Sequence, residues 1–449
     1  MQSVILTCVV ALAAIVVVQG DTPGNCMYED IRGTWTFKIG KGGNNNTLDC
    51  SNFQGPYVEQ YEITLKYYAN VSDTKGNEGF WTLIYNQGFE VVIDKRKFFA
   101  FSKFVGRKSY CSETLPGWAH NIDGTNWACY VGQKSKGEKK IRYSSKGKTS
   151  REFITPEFQE NFVSAINSVQ NSWTARTYDE FNYKTWASLM QKTGGPVADK
   201  SGLAKAQPTT PELEDLVSDL PANFDWRNVK GQNYVSPVRD QEACGSCYAF
   251  ASMGMAEARV RIQTKLSQKP IYSPQDVLEC SEYAQGCGGG FSYLVAGKYA
   301  QDFGIVEEKC NPYKGRDVPT CTTDPSCERV RAKDYSYIGG FYGNCSEPAM
   351  RRAIYDRGPV AVGFEVQSDF FFYSEGIYQG TGINFNPFVV TDHAVVIVGW
   401  GEDSDGKKFW NVKNSWGADW GDHGYFKIAR GNDQQGIESC ACESTLIVG

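Results

Sequence analysis

The chain has 449 residues, with 46 Lys and Arg against 51 Asp and Glu, a formal charge of −5. That balance argues against a phosphate-binding surface, and a composition that is 41% apolar and 14% aromatic rules out a disordered polymer. At roughly 150 residues per domain, the length predicts about three units.

From the N-terminus, the apolar run Val4–Val18 is shorter than the ~20 residues a membrane-spanning helix needs, and the small residue Gly20 follows it. Residues 1–20 therefore read as a secretory signal, with the mature chain starting at Asp21. No later stretch is long and apolar enough for an anchor, so no membrane partner is expected. Of 15 cysteines, Cys8 lies in the signal; Cys26, Cys50, Cys111 and Cys129 form one group, and ten more run from Cys244 to Cys442. An oxidising compartment pairs most such thiols. Sequons at Asn45, Asn70 and Asn344 fit the same route and mark expected glycosylation.

Residues 21–133 read as antiparallel β. Tyr61–Tyr67 alternates apolar with polar side chains, and Phe80–Tyr85 and Glu90–Asp94 are apolar runs of strand length. Gly42-Gly-Asn-Asn-Asn and Asn86-Gln-Gly punctuate them, so a small barrel is expected. Lys134–Arg151 then carries eight basic residues against the single acid Glu138. With little aromatic content it reads as an exposed, protease-sensitive linker and not as a nucleic-acid surface. Thr155-Pro156 starts a helix whose apolar face is Phe158, Phe162, Ile166, Val169 and Trp173. Gly194–Pro211 reads as a second linker, and residues 220–449 as the last unit.

That unit carries the chemistry. Cys247, in Gln241-Glu-Ala-Cys-Gly-Ser-Cys-Tyr-Ala-Phe, heads the almost wholly apolar segment Tyr248–Ala258, which reads as a buried helix. A thiol there meets the helix's positive end, which favours thiolate. Gln241 is placed to aim an amide at an oxyanion beside Cys247. A nucleophilic thiol needs a base, and among three histidines His393 stands at the head of the apolar strand Ala394–Val398. Asn414 is placed to accept its second N–H, with Trp416 and Trp420 to keep water away. His120 and His423 read as structural. Cys244 and Cys247 as a redox pair, or Cys244, Cys247, Cys280 and Cys287 as a zinc set, are the alternatives; no metal is expected.

Gln241–Phe250, Ser273-Pro-Gln-Asp, Gly286-Cys-Gly-Gly-Gly, His393-Ala-Val, Asn414-Ser-Trp-Gly and Trp420-Gly together resemble the papain family of cysteine peptidases. The resemblance implies an α+β fold for residues 220–449, a two-lobed papain-like peptidase with one lobe helical and one a β-barrel; the N-terminal antiparallel β-barrel is left over, and reads as an exclusion domain that blocks one end of the cleft. The resemblance also implies Cys247 as nucleophile, His393 as acid/base, Asn414 as orienter and Gln241 in the oxyanion hole, with Gly289 and Gly290 pairing with substrate backbone.

Asp21-Thr-Pro-Gly-Asn-Cys, Gly33-Thr-Trp-Thr-Phe, Asn171-Ser-Trp-Thr-Ala and Gly289–Gly304 extend the likeness to the family's dipeptide-releasing branch. That branch implies removal of dipeptides from free N-termini, with the Asp21 carboxylate meeting the substrate ammonium, and a chloride ion near Phe291 and Tyr293. It further implies a lysosomal homotetramer matured by activating proteases. The expected segments are 134–219 as activation segment, a heavy chain of about 220–383 and a light chain of about 384–449. The implied disulfides are Cys26–Cys111, Cys50–Cys129, Cys244–Cys287, Cys280–Cys321 and Cys310–Cys327. Cys345 and the unusual Cys440-Ala-Cys442 tail are left over. A papain-like endopeptidase with a regulatory N-terminal domain is the second reading, and a binding protein that keeps the peptidase shell the third.

Overall fold

The computed structural model describes residues 22–67, 69–136, 140–143, 152–196, 204–383 and 391–448. The expected signal, Asp21 and the expected heavy/light cut near Asn384–Asn386 lie outside the described residues. Alternation shapes the N-terminal unit. Strand β1 (Gly33–Ile39) buries Trp35, Phe37 and Ile39, and β2 (Glu59–Leu65) buries Tyr61, Ile63 and Leu65. They are followed by β3 (Asn70–Asp73), β4 (Glu78–Ile84), β5 (Gly88–Ile93), β6 (Arg96–Val105), β7 (Lys108–Thr114), β8 (Gly117–Asn121) and β9 (Ala128–Lys136). The order β1-β2-β3-β4-β5-β6-β8-β9 closes on itself because β9 also pairs with β1, so this antiparallel ring has no free edge. Aromatic rings fill it, Phe37 lying 5.1 Å from Phe98 and 4.8 Å from Tyr130. Cys26–Cys111 and Cys50–Cys129 are bonded.

The basic run is not wholly a linker. Lys134 lies inside β9, buried, and its Nζ donates to the Asp30 carbonyl at 2.8 Å. Arg142, in the short strand β10 (Ile141–Tyr143) that pairs with β7, forms an ion pair with the Asp30 carboxylate. A buried acid needs cations, and Asp30 draws the start of the run onto the barrel.

Thr155 caps the helix Pro156–Val169, its hydroxyl accepting from the Phe158 N–H at 3.1 Å. Phe162 packs 5.4 Å from Phe372, and Ile166 is buried. The expected face ends there. Val169 is 59% exposed, and Trp173 lies past the helix in β11 (Trp173–Ala175). Gln159 is buried in their stead, its amide bonded to the Tyr178 carbonyl and to Asn182.

The rest is mixed α+β. Its strands are β12 (Gly195–Pro196), β13 (Phe224–Asp225), β14 (Ala332–Tyr337), β15 (Val360–Val366), β16 (Tyr373–Tyr378), β17 (Thr391–Glu402), β18 (Lys408–Lys413), β19 (Tyr425–Ala429) and β20 (Ala441–Leu446). They form the order β11-β16-β19-β18-β17-β15-β20-β14, with β12 and β13 both on β17. The helix Cys247–Gln263, buried from Cys247 to Arg261, packs against this sheet. Cys244–Cys287, Cys280–Cys321 and Cys310–Cys327 are bonded. Among the described residues no helix is long and apolar enough to cross a membrane.

One apolar core runs through both units. Tyr85 of the barrel lies 4.8 Å from Phe291, and Phe99 lies 5.5 Å from Tyr283. Polar contacts cross the same seam: Lys298 Nζ reaches His120 Nε2 at 3.1 Å and Asp302 at 3.0 Å. Burial, and then the Lys298 cation, push His120 down to about 4, so the imidazole sits there neutral. A buried, neutral, stacked histidine is structural.

Candidate active site

Cys247 is the first residue of its helix, with Ser246 as N-cap, so its thiol meets the positive end of the helix dipole. It is 2% exposed and in no disulfide. Cys244 is bonded to Cys287 and Cys280 to Cys321, which removes both the redox pair and the zinc set. Among the described residues no cluster of His, Cys, Asp and Glu is arranged to hold a metal ion.

His393 enters from β17. Its Nε2 meets the Asn414 Oδ1 at 2.8 Å, an oxygen that also accepts from the Ser415 N–H at 2.9 Å. An amide oxygen only accepts, so the contact places the ring proton on Nε2 and a lone pair on Nδ1. Nδ1 is buried without a hydrogen-bond partner, and His393 and Cys247 line one cavity. The Trp416 ring lies 4.9 Å from the imidazole and Trp420 a further 4.9 Å on, shielding the His393–Asn414 contact.

Gln241 is wholly buried. Its Oε1 accepts from the Ser415 hydroxyl at 2.6 Å, its backbone N–H donates to the Ser415 carbonyl at 2.8 Å, and its Nε2 donates to the Cys244 carbonyl at 2.8 Å. The carboxamide is thus locked, with a second N–H proton to offer. Gly289, at φ 124°, turns the chain after a short helical turn, and Gly290 lines the cavity. A Cβ on Gly290 would lie 2.7 Å from the Tyr248 ring.

The segment read as a second linker begins inside the cleft. The Gly194 N–H donates to the Asp392 carbonyl at 2.7 Å, and β12 continues as a strand on β17. A Cβ on Gly194 would lie 3.7 Å from the Cys247 Sγ, ordinary van der Waals contact, and 3.1 Å from an Asp392 carboxylate oxygen, so the backbone here runs close past the sulfur. Trp416 Nε1 donates to the Lys192 carbonyl at 3.0 Å, tying the segment down just before that point. The cover desolvates what lies beneath it. Burial pushes His393 down to about 4 against a smaller upward pull from Asn414, and holds the Asp392 carboxyl above the usual carboxylate range.

Several residues that face this cavity carry no signal in the sequence. Tyr85 reaches in from the barrel at φ 50°, a strained setting for a bulky residue, and its hydroxyl approaches Gly363. Tyr337 stacks on Tyr293 at 4.2 Å, and its buried hydroxyl has no hydrogen-bond partner. Tyr293's own hydroxyl donates to Glu90 of the barrel. Of the two residues expected at the chloride, Phe291 can offer only backbone and Tyr293 has committed its phenol. Tyr337 is therefore the side-chain donor left for an anion. Only the repeated Tyr and Phe of β14 and the barrel turn precede these contacts in the sequence, and such residues read equally as core.

The fold, with a cysteine heading a buried helix and a histidine–asparagine pair across the cleft, defines a cysteine protease. The papain family cysteine protease model matches residues 220–445, and the cathepsin C exclusion domain model matches residues 21–134. The chain belongs to the papain family of cysteine proteases. Within that family it is cathepsin C-like: it is 40% identical over 446 residues to a protein named Cathepsin C from Schistosoma mansoni, covering 96% of each chain. A gut-specific cysteine proteinase of Caenorhabditis elegans is 36% identical over 51% of this chain and 74% of its own length. Among solved structures, proCathepsin B S9 from Trypanosoma congolense matches with a TM-score of 0.53 at 27% identity, over 65% of this chain and 98% of that one.

Proposed function

We propose that this peptidase removes dipeptides from the free N-termini of peptides and proteins. The observation that carries the reading is Tyr85: a barrel residue lines the same cavity as Cys247 and His393 and packs on Phe291, so the barrel forms part of the wall of the cleft. In this mechanism the Cys247 thiol passes its proton to His393 Nδ1, the resulting thiolate attacks the carbonyl, and Gln241 and the Cys247 N–H hold the oxyanion. His393, steered by Asn414, gives that proton to the leaving amine and later draws one from the attacking water. Gly289 and Gly290 take the substrate backbone. Asp21 supplies the anion for the substrate ammonium. A chloride, if bound, takes the Tyr337 hydroxyl with backbone from Phe291 and Tyr293, supplying a fixed negative charge at the cavity wall.

The same reading places the protein in the lysosome by the secretory route, as a zymogen cut by other proteases and as a homotetramer. The exposed Asn45 and Asn70 are the better glycan acceptors, since the Asn344 amide donates to the Gly339 carbonyl at 2.6 Å. The deciding experiment compares dipeptide substrates with free and acetylated N-termini on matured enzyme. Losing one ammonium–carboxylate contact should lower kcat/KM by about 10- to 100-fold. Equal rates, or cleavage inside an acetylated protein, would favour the endopeptidase reading.

The covering segment adds a pH prediction. Because the covered His393 titrates near 4, only the uncovered ring takes a proton between about 6.5 and 4, so acid favours uncovering through this residue. Asp392 has the opposite sign: its raised value means the covered form binds the proton first, so acid favours covering through it. In the intact chain, alkylation of Cys247 should therefore depend weakly on pH. In Asp392→Asn it should rise as pH falls through that window, and a flat Asp392→Asn profile would refute the opposition.

A further inference from the structure

The barrel does more than stand beside the cleft. Glu90, on β5 and 2% exposed, points out of the barrel into the peptidase and accepts two phenols with its two oxygens. Tyr293 donates to Oε2 at 2.8 Å and Tyr335 to Oε1 at 2.6 Å. Neither donor belongs to the barrel. Lys97 of β6 closes the group, its ammonium 4.6 Å from the Tyr335 ring centroid and 3.3 Å from that residue's hydroxyl.

Tyr293 has two ends with different duties. Its ring lines the cavity that holds Cys247 and His393 and stacks on Tyr337, a second wall residue, at an interplanar angle of 10°. Its hydroxyl leaves the cavity and ends on Glu90. The local chain is built for this. Tyr293–Tyr299 winds as a wide π-helix, a form enriched at functional sites, and Gly297 leaves room for Tyr335, whose ring would meet a Cβ there at 2.4 Å. Without the carboxylate, the Tyr293 phenol would be a buried donor with no acceptor, which a side chain relieves by turning or by admitting water.

We propose that Glu90 is a positioning residue through which the barrel sets the shape of the cavity beside Cys247: by holding the Tyr293 hydroxyl it fixes the Tyr293–Tyr337 wall against which a substrate side chain packs. The inference rests on the peptidase reading above and deepens it. The carboxylate touches no substrate, so its effect falls on binding of that side chain and not on bond breaking.

The test uses matured enzyme and peptide substrates differing only in the side chain that enters the cavity, from glycine to a large apolar residue. Glu90→Ala and Tyr293→Phe should each lower the large-to-glycine ratio of kcat/KM by about tenfold, mainly through KM. Glu90→Gln, which keeps one acceptor oxygen, should recover most of it. The double variant Glu90→Ala/Tyr293→Phe should fall no further than Tyr293→Phe. Equal losses on all substrates, an unchanged ratio, or additive losses would each overturn the proposal. Should Glu90→Ala fail to fold, Tyr293→Phe, which removes one oxygen atom, still decides it. If the enzyme cuts internally and releases no dipeptides, the functional reading fails; the same side-chain series in internal-cleavage substrates still reads Glu90.

Discussion

Cys247→Ala is expected to lower kcat by about 10⁶-fold, leaving the turnover that binding and oxyanion stabilisation alone sustain. The fold should tolerate the change, since alanine favours a helix and the thiol takes part in no disulfide. No neighbouring sulfur can substitute. Cys440 and Cys442 line the same cavity, yet burial raises Cys440 to about 12 and holds Cys442 well above the ordinary thiol range. A thiol that stays protonated is a poor nucleophile. Steady-state turnover by matured protein, with a thiol-directed label to count active sites, checks the result. Residual activity above one part in a thousand would move the chemistry to another residue.

Gln241→Ala should cost about 10²- to 10³-fold in kcat with little change in KM, because the donor it removes matters only once the carbonyl oxygen carries charge. The locked geometry supports this. Ser415 and the Cys244 carbonyl hold the carboxamide from two sides, so its remaining proton keeps a fixed direction and needs no reorganisation during reaction. The substitution also strips the buried Ser415 hydroxyl of its acceptor, a separate stability cost of about 1–3 kcal/mol. Separate kcat and KM values beside a thermal melt divide the two effects. A loss confined to KM would remove Gln241 from the oxyanion hole.

How much of this was legible before the fold was known depends on distance along the chain. Alternation in Tyr61–Tyr67 announced a strand because burial of one face leaves a period of two. The segment around Cys247 announced its helix, the strand that follows His393 singled it out among three histidines, and the likeness to the papain family joined them to Gln241 and Asn414. Illegible features were those in which one unit acts on another. Tyr85, Glu90 and Tyr337 are an aromatic, an acid and an aromatic in strand-like surroundings, and nothing local tells a wall residue from core. Gly194 looked like a linker because its small neighbours suit a loop; they suit equally a strand threaded past a sulfur atom. The helix face failed at Val169 and Trp173 because periodicity cannot see that the helix stops in between.

The five cross-links among the described residues are also apportioned in a telling way: two lie wholly within the barrel and three wholly within the peptidase, and none of them joins the two. A protease that nicks the intervening stretch therefore leaves the pieces without a disulfide between them. What keeps the pieces together is buried aromatic contact and polar contact across the seam, His120 with Lys298 and Asp302 and Glu90 with Tyr293 and Tyr335. Reductant should loosen each piece internally before it parts them, whereas moderate denaturant should separate two intact, individually stapled bodies.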